Sequence, residues 1–298
     1  MKILVILSFL SAAVLFFTSK NAITESNANT INKEFRDYWM DGKAEVASYQ
    51  LTQNRYGQLH EGKAVLIFVT EDFSKSKHVK LDNPSGAGKD KLPILKLNFA
   101  KNFNTGIYPY SILNSVFTPL DLTGTVKTTC TVQEWCGHTY TQLNKKGNNY
   151  DVRAYSYFES EGDQTKSIDR EMLEDELWNI IRIAPGSLPD GKVKLIRGNT
   201  AVRLMHLPLE EQTAEISHNE GMIDNVKSGI LTITYPERTL KIYHETSFPY
   251  TISGWDETYG EFGKSPETTK ARLLKSQRLE YWKLHGNEHK MYRDSLGL

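Results

Sequence analysis

Strand-like patterning dominates the chain, interrupted by a few helix-like stretches. After Met1-Lys2 an uncharged apolar run covers residues 3–17 and gives way to a polar stretch over residues 19–33. Residues 32–40 predict a short aromatic helix. Residues 44–51 and 63–73 predict strands around Asn54-Arg55-Tyr56-Gly57, a hairpin signal. Val65-Leu66-Ile67-Phe68-Val69 is too short for a typical helix and rich in β-branched residues, as expected of a central strand buried on both faces. Residues 82–90 form a loop, because proline and glycine set its turns. Leu95-Lys96-Leu97-Asn98-Phe99 alternates with period two, residues 107–117 are aromatic and β-prone, and 123–143 and 150–158 continue the pattern.

The second half repeats the order. Asp169 predicts a helix cap, with Leu173, Leu177, Ile180, Ile181 and Ala184 on one helical face and Pro185-Gly186 as the stop. Residues 193–207, 230–235, 238–244 and 250–255 predict a second set of strands. Ser265-Pro266-Glu267 predicts the start of a terminal helix, with serine as cap and proline in the first turn. The expected fold is mainly β (α+β): a large antiparallel curved sheet, sandwich or half-barrel with a middle and a C-terminal helix. A parallel sheet is disfavoured, since the crossover helices it needs are absent. Residues 34–298 read as one β-rich body, either a single sheet or two β blocks at 34–165 and 190–298.

The N-terminus changes the picture most. A basic start and an apolar run have the form of a secretory signal over residues 1–22, joined by a polar linker over 23–33. The residues before the candidate cleavage points fit poorly, so an uncleaved anchor stays open. No later stretch approaches a membrane-spanning length. The expected location is therefore the periplasm or cell envelope, with membrane contact only through the N-terminal segment. Basic and acidic residues balance at 36 each; without residues 1–22, Lys2 and Lys20 are lost and the net charge is 34 − 36 = −2. No global field recruits nucleic acid. Charge is uneven locally: residues 159–176 hold eight acids and two bases, residues 264–293 eight bases and three acids. These runs read as solvated helix faces, or as surfaces that pair with each other or with charged envelope partners.

Several motifs resemble chemistry and fail on inspection. Gly86-Ala87-Gly88-Lys89-Asp90 lacks the first glycine and final hydroxyl of a phosphate loop. His285-Gly286-Asn287-Glu288-His289 matches an inverted zinc-protease string, but Gly286 and Asn287 weaken the helix it requires. No Gly-x-Ser-x-Gly elbow occurs, and two cysteines cannot build a Cys-only zinc site. No metal site and no cofactor is expected.

Gln133-Glu134-Trp135-Cys136-Gly137-His138-Thr139-Tyr140 is the densest block of candidate chemistry. On one strand, Glu134, Cys136, His138 and Tyr140 would share a face, giving a catalytic row in which Glu134 orients His138 and Cys136 is a nucleophile or metal ligand. Neighbours on such a face lie ~6–7 Å apart, so the row needs a bulge, which Gly137 can supply. The competing reading is a Cys130–Cys136 disulfide, which needs a chain reversal between them. A second set, Tyr108, Tyr110, Trp135 and Tyr140, has the composition of an apolar ligand pocket with polar tips.

Tyr38-Trp39-Met40-Asp41-Gly42-Lys43-Ala44-Glu45, Leu66-Ile67-Phe68-Val69-Thr70-Glu71-Asp72-Phe73-Ser74, Gly106-Ile107-Tyr108-Pro109-Tyr110-Ser111 and Gln133-Glu134-Trp135-Cys136-Gly137-His138 together resemble an uncharacterised family of bacterial exported, lipoprotein-like proteins. Its members often carry the label "septum formation inhibitor Maf", and the resemblance covers roughly residues 35–298. The chain departs from the lipoprotein pattern, having no cysteine before Cys130. It also lacks the Ser-x-Ser-Pro-Arg-Arg signature of the nucleotide-hydrolysing Maf proteins, so neither nucleotide hydrolysis nor septum inhibition carries over. The resemblance implies only an envelope protein. The expectation is non-enzymatic binding of a lipid or other apolar or amphiphilic ligand, or of an envelope protein partner; the alternative is an envelope enzyme using Glu134, Cys136 and His138.

Overall fold

A computed structural model describes residues 31–261 and 263–298. The signal segment at 1–22 and all but the end of the 23–33 linker lie outside the described residues. The chain enters through helix α1 (Lys33–Trp39), capped by the Asn32 side chain, which accepts the Phe35 N–H at 2.8 Å. Phe35 and Trp39 form its buried stripe.

Eight strands follow: β1 (Ala44–Arg55), β2 (Gln58–Ser74), β3 (Lys91–Thr105), β4 (Tyr108–Pro119), β5 (Lys127–Glu134), β6 (Gly137–Lys146), β7 (Asn149–Ser156) and β8 (Gln164–Asp169). They form one continuous meander. The two-residue turn Tyr56-Gly57 has positive φ at both positions, the geometry that matches strand twist in a hairpin. A short middle section holds β9 (Met172–Leu173), helix α2 (Leu177–Ile183), β10 (Gly191–Ile196) and helix α3 (Asn199–Met205). The chain then returns through β11 (Glu211–Ile223), β12 (Val226–Thr234), β13 (Arg238–His244), β14 (Ile252–Tyr259) and β15 (Glu267–Leu279), and ends in α4 (Met291–Ser295).

All fifteen strands belong to one sheet, ordered β8-β7-β6-β5-β4-β3-β2-β1-β15-β14-β13-β12-β11-β10-β9. Every ladder is antiparallel except β9 beside β10. The two β blocks are thus halves of one sheet, joined where β1 pairs with β15. Its edge strands, β8 and β9, are separated in the chain by only Arg170 and Glu171. Fourteen steps of ~4.8 Å would hold the edges of a flat sheet about 67 Å apart. The three Cα–Cα links from Asp169 to Met172 reach at most ~11 Å. The sheet therefore curls until its edges face each other, and no ladder joins β8 to β9 along this seam. Apolar packing across the seam confirms the curl: Leu143, Tyr150 and Val152 from one edge cluster with Leu173, Ile196 and Leu209 from the other.

The middle section fills the interior. Every residue of α2 is buried, as expected of a helix enclosed by sheet. Trp178 meets Phe99 and Trp255 edge-on at 5.1 and 5.4 Å, and Asn179 donates to the Thr118 hydroxyl at 2.8 Å. Three buried arginines tie the interior to the wall. Arg182 on α2 grips both Glu45 oxygens, one at 2.6 Å; Arg238 holds Glu174 at 2.6 and 2.7 Å and reaches Glu257; Arg55 bridges Glu261 and the Leu204 carbonyl, each at 2.6 Å. Bidentate pairs of this kind set position more than they add stability.

Five expectations are corrected. Residues 123–143 are two strands with a turn at Trp135-Cys136, not one. Asp169 ends β8 and caps nothing; α2 begins at Leu177, after β9 and a 3-10 turn over Glu174–Glu176. The acids of residues 174–176 are buried inside the curl rather than spread over a solvated helix face, and Glu174 pairs with Arg238 instead of the basic run at 264–293. The stretch 193–207 is strand only to Ile196 and then helix α3, because Gly198-Asn199 starts a helix and Pro208 stops it. The helix predicted from Ser265 is the central strand β15, whose partners on both sides outweigh local propensity. Among the described residues no helix is long and apolar enough to cross a membrane.

Candidate functional site

A cavity of about 320 Å³ opens at the seam, between the inner faces of β5–β8 and helix α3. Its sheet wall carries Cys130, Thr139, Thr141, Val152 and Ala154; its helix wall carries Val202 and Arg203, continued by Leu207 and Leu209. One flank is apolar and the other carries hydroxyls and charge. The β7–β8 loop, with Ser160 and Glu161, covers the mouth.

Local geometry explains how α3 presents its side chains. The first turn is capped from another element: the Asp175 carboxylate accepts the Asn199 backbone N–H at 3.1 Å and its side-chain amide at 2.7 Å. Gly198 is needed there because a Cβ would lie 2.5 Å from the Glu174 carboxylate, which Arg238 holds in place. At the other end His206 is left-handed (φ 53°), the Leu207 N–H returns to the Val202 carbonyl, and the His206 ring turns toward the β7–β8 loop. There its Nδ1 lies 2.7 Å from Glu161 Oε1, closing a clasp across the seam.

Arg203 is the unusual group. Its side chain is 7% exposed and lies over the Phe158 ring, 4.2 Å from the centroid. Yet its carboxylate neighbours stand off, Glu161 at 3.6 Å and Glu134 at 4.0 Å, and its Nε has no hydrogen-bond partner. Only long contacts of 3.4 and 3.5 Å to the His206 ring complete its surroundings. A buried guanidinium normally makes short, often bidentate bonds to an anion. This one faces a cavity with donor capacity to spare.

Titratable neighbours follow from burial. The Cys130 thiol on the cavity wall is pushed well above its ordinary range by burial and by nearby Asp175, so it stays neutral and behaves as a small apolar wall group. Asp175, buried beside Glu174, is pushed up to about 6. Burial also draws the Lys101 ammonium downward, against the opposing pull of Glu257.

The structure does not assemble the catalytic row Glu134, Cys136 and His138. Glu134 ends β5 on the inner face, following buried Thr128, Cys130 and Val132, and its carboxylate accepts the Cys136 N–H at 2.6 Å. His138, the second residue of β6, lies opposite Gln133 and is exposed, so it points away from Glu134. Cys136 sits in the turn, and the hydrogen bond and charge of Glu134 raise its thiol above the ordinary range, the opposite of nucleophile activation. The Cys130–Cys136 bridge is absent as well: both thiols are free, one buried in the strand and one exposed in the turn. The reversal falls after Glu134, leaving Cys130 four strand residues away, or ~13 Å, beyond disulfide reach.

The aromatic set divides. Tyr108 and Trp135 meet at the rim with rings 6.4 Å apart. Tyr110 is buried, stacked on Phe103 at 4.8 Å and bonded to the Tyr56 hydroxyl at 2.8 Å. Tyr140 lies on the outer face, where its hydroxyl meets Gln142 at 2.6 Å. None of the four lines the cavity. Sequence reasoning missed Glu161, Arg203 and His206. The signal for the last two was the Gly198-Asn199 start and Pro208 stop, which place Arg203 and His206 one turn apart on a helix; Glu161 was marked only as one acid of the 159–176 run.

No family model matches the chain, and no curated protein matches it. Among solved structures it is similar to a domain assigned to outer membrane lipoprotein sorting from Vibrio parahaemolyticus, at 8% identity over 93% of this chain and 97% of that one, with a TM-score of 0.20. A likeness at that score supports no conclusion about ligand or fold.

Proposed function

We propose that this is a binding protein of the cell envelope that takes an amphiphilic ligand with an anionic end into the seam cavity. Arg203 carries the reading: a guanidinium buried at the cavity, with its carboxylate neighbours held off at 3.6 and 4.0 Å and its Nε unpartnered, is suited to a carboxylate or phosphate group. The apolar flank of Val152, Ala154, Val202 and Leu209 suits a hydrocarbon portion. At about 320 Å³ the cavity takes a small amphiphile or one end of a larger one. The envelope location rests on the signal-like N-terminus.

The test is a titration with a dansyl-labelled fatty acid and the matching fatty alcohol. The protein is expected to bind the acid saturably and to prefer it over the alcohol by about tenfold, the effect of one charge-assisted contact. Arg203→Gln abolishes that preference, and Ala154→Phe, which fills the cavity, abolishes binding of both. Absence of saturable binding, or binding that neither substitution alters, overturns the reading.

A further inference from the structure

In an antiparallel meander, alternate turns emerge at the same end, so the β3–β4, β5–β6 and β7–β8 connections lie together. Each carries a large apolar side chain into solvent: Ile107 is 83% exposed, Trp135 68% and Tyr157 67%. The three tips touch in sequence. Tyr108, beside Ile107, has its ring 6.4 Å from Trp135, and the Tyr157 ring lies directly over the backbone of Gly137, leaving no room there for a Cβ. Tyr157 in turn meets Phe158 edge-on at 5.4 Å, and Phe158 covers Arg203 and His206 at the cavity mouth. A continuous apolar crown thus runs from the hairpin tips to the opening of the cavity.

We propose that this crown docks onto the interfacial zone of a zwitterionic lipid bilayer, setting the cavity mouth against the membrane surface. The inference extends the binding function above, since an amphiphile would then pass between bilayer and cavity along the crown. The shape favours a bilayer over a folded partner. The apolar groups project singly from separate turns, forming wedges that fluid lipid accommodates, whereas a protein interface needs a complementary surface. Tryptophan and tyrosine are also the side chains that settle at headgroup level, having an apolar body and a polar tip.

Charge selects the kind of membrane. The turns Gly106-Ile107 and Trp135-Cys136 bear neither carboxylate nor ammonium, and the carboxylate of neighbouring Glu134 is covered. Beside Tyr157, Glu159 and Asp163 are exposed acids. The exposed Lys264 ammonium, held on the Tyr56 carbonyl at the β1–β2 turn of the same end, offsets part of that charge, so attraction is hydrophobic and needs no anionic lipid.

The protein provides its own probe site, because Cys136 is exposed within the crown and Cys130 is buried. An environment-sensitive fluorophore on Cys136 of the full chain reports contact with phosphatidylcholine vesicles. The control carries the label at Met222→Cys in a Cys136→Ser background; Met222 is 65% exposed beside the β11–β12 turn, which emerges at the opposite end of the sheet. The Cys136 label is expected to shift to the blue and to be quenched by brominated lipid, while the Met222 label stays silent. The response should not require phosphatidylglycerol. The Ile107→Ser/Trp135→Ser variant should partition about tenfold less, with unchanged thermal unfolding and fatty-acid binding in solution. A silent Cys136 label overturns the proposal. Equal response of both labels also overturns it, since it assigns contact to another part of the chain, and so does a Cys136 shift that grows with protein concentration without vesicles, which assigns the crown to self-association. Fatty-acid binding is measured separately without membranes, so failure of the cavity reading is distinguishable from failure of docking.

Discussion

At the scale of single residues, the interior keeps charge where a simple β-barrel core would be apolar. Asp175 shows the consequence. It caps α3 by accepting from Asn199, yet burial and the adjacent Glu174 raise its carboxyl from 3.8 to about 6. A group with a raised carboxyl pKa holds its proton more tightly folded than unfolded, so its neutral form favours the native state below about pH 4, and that contribution is lost as pH rises to about 6. Asp175→Asn keeps the acceptor oxygen and removes the charge. Relative to the parent, the variant should gain roughly 1–3 kcal/mol of stability on going from about pH 4.5 to about pH 7.5. Urea unfolding at the two pH values checks this, and a pH-independent difference contradicts it. Arg203 differs in kind: its Nε has no hydrogen-bond partner and its carboxylate neighbours Glu161 and Glu134 stand 3.6 and 4.0 Å away at the cavity wall, which is why the proposed function rests on it.

Among the elements, α2 is held by a buried arginine, Arg182, whose carboxylate partner Glu45 sits on β1. Arg182→Met leaves Glu45 buried with only the Tyr38 hydroxyl bond and should cost about 3–5 kcal/mol. Adding Glu45→Gln should recover most of that loss, because the isolated charge goes with it. Thermal or chemical unfolding of the pair decides; equal destabilisation in single and double variants would mean that packing, not charge, seats the helix. The strands were largely legible from pattern. Alternation at Leu95-Lys96-Leu97-Asn98-Phe99 and the Asn54 to Gly57 turn signal translate directly into β3 and the β1–β2 hairpin. Elements whose state depends on distant partners were not legible. Glu267–Leu279 starts like a capped helix and becomes a strand because β1 and β14 both offer edges. The Trp135-Cys136 turn lacks Asn, Asp and Pro, and only the ladder between β5 and β6 reveals it. The candidate site was the least visible, since Glu161, Arg203 and His206 lie far apart in sequence or in a stretch read as strand, and meet only when the seam forms.

For the whole molecule, chain order explains where the cavity lies. Pairing the first strand with the last places both sheet edges in the middle of the sequence, and the short Arg170-Glu171 link draws them together. The interior is then filled by the segment between the edges, and the cavity described above is left where α3 stops short of β5–β8. The seam is also the one boundary of the curl without a backbone ladder, bridged beside the cavity by the Glu161–His206 contact, so a ligand can enter there without breaking strand pairing. The central claim is that this cavity holds an anionic amphiphile. Native mass spectrometry of the protein isolated gently from cells that express it tests it most directly. The account predicts one bound amphiphile per chain, carrying a carboxylate or phosphate, present in the parent and missing from Ala154→Phe. Protein that is empty in repeated isolations, or a ligand retained equally by Ala154→Phe, would contradict it.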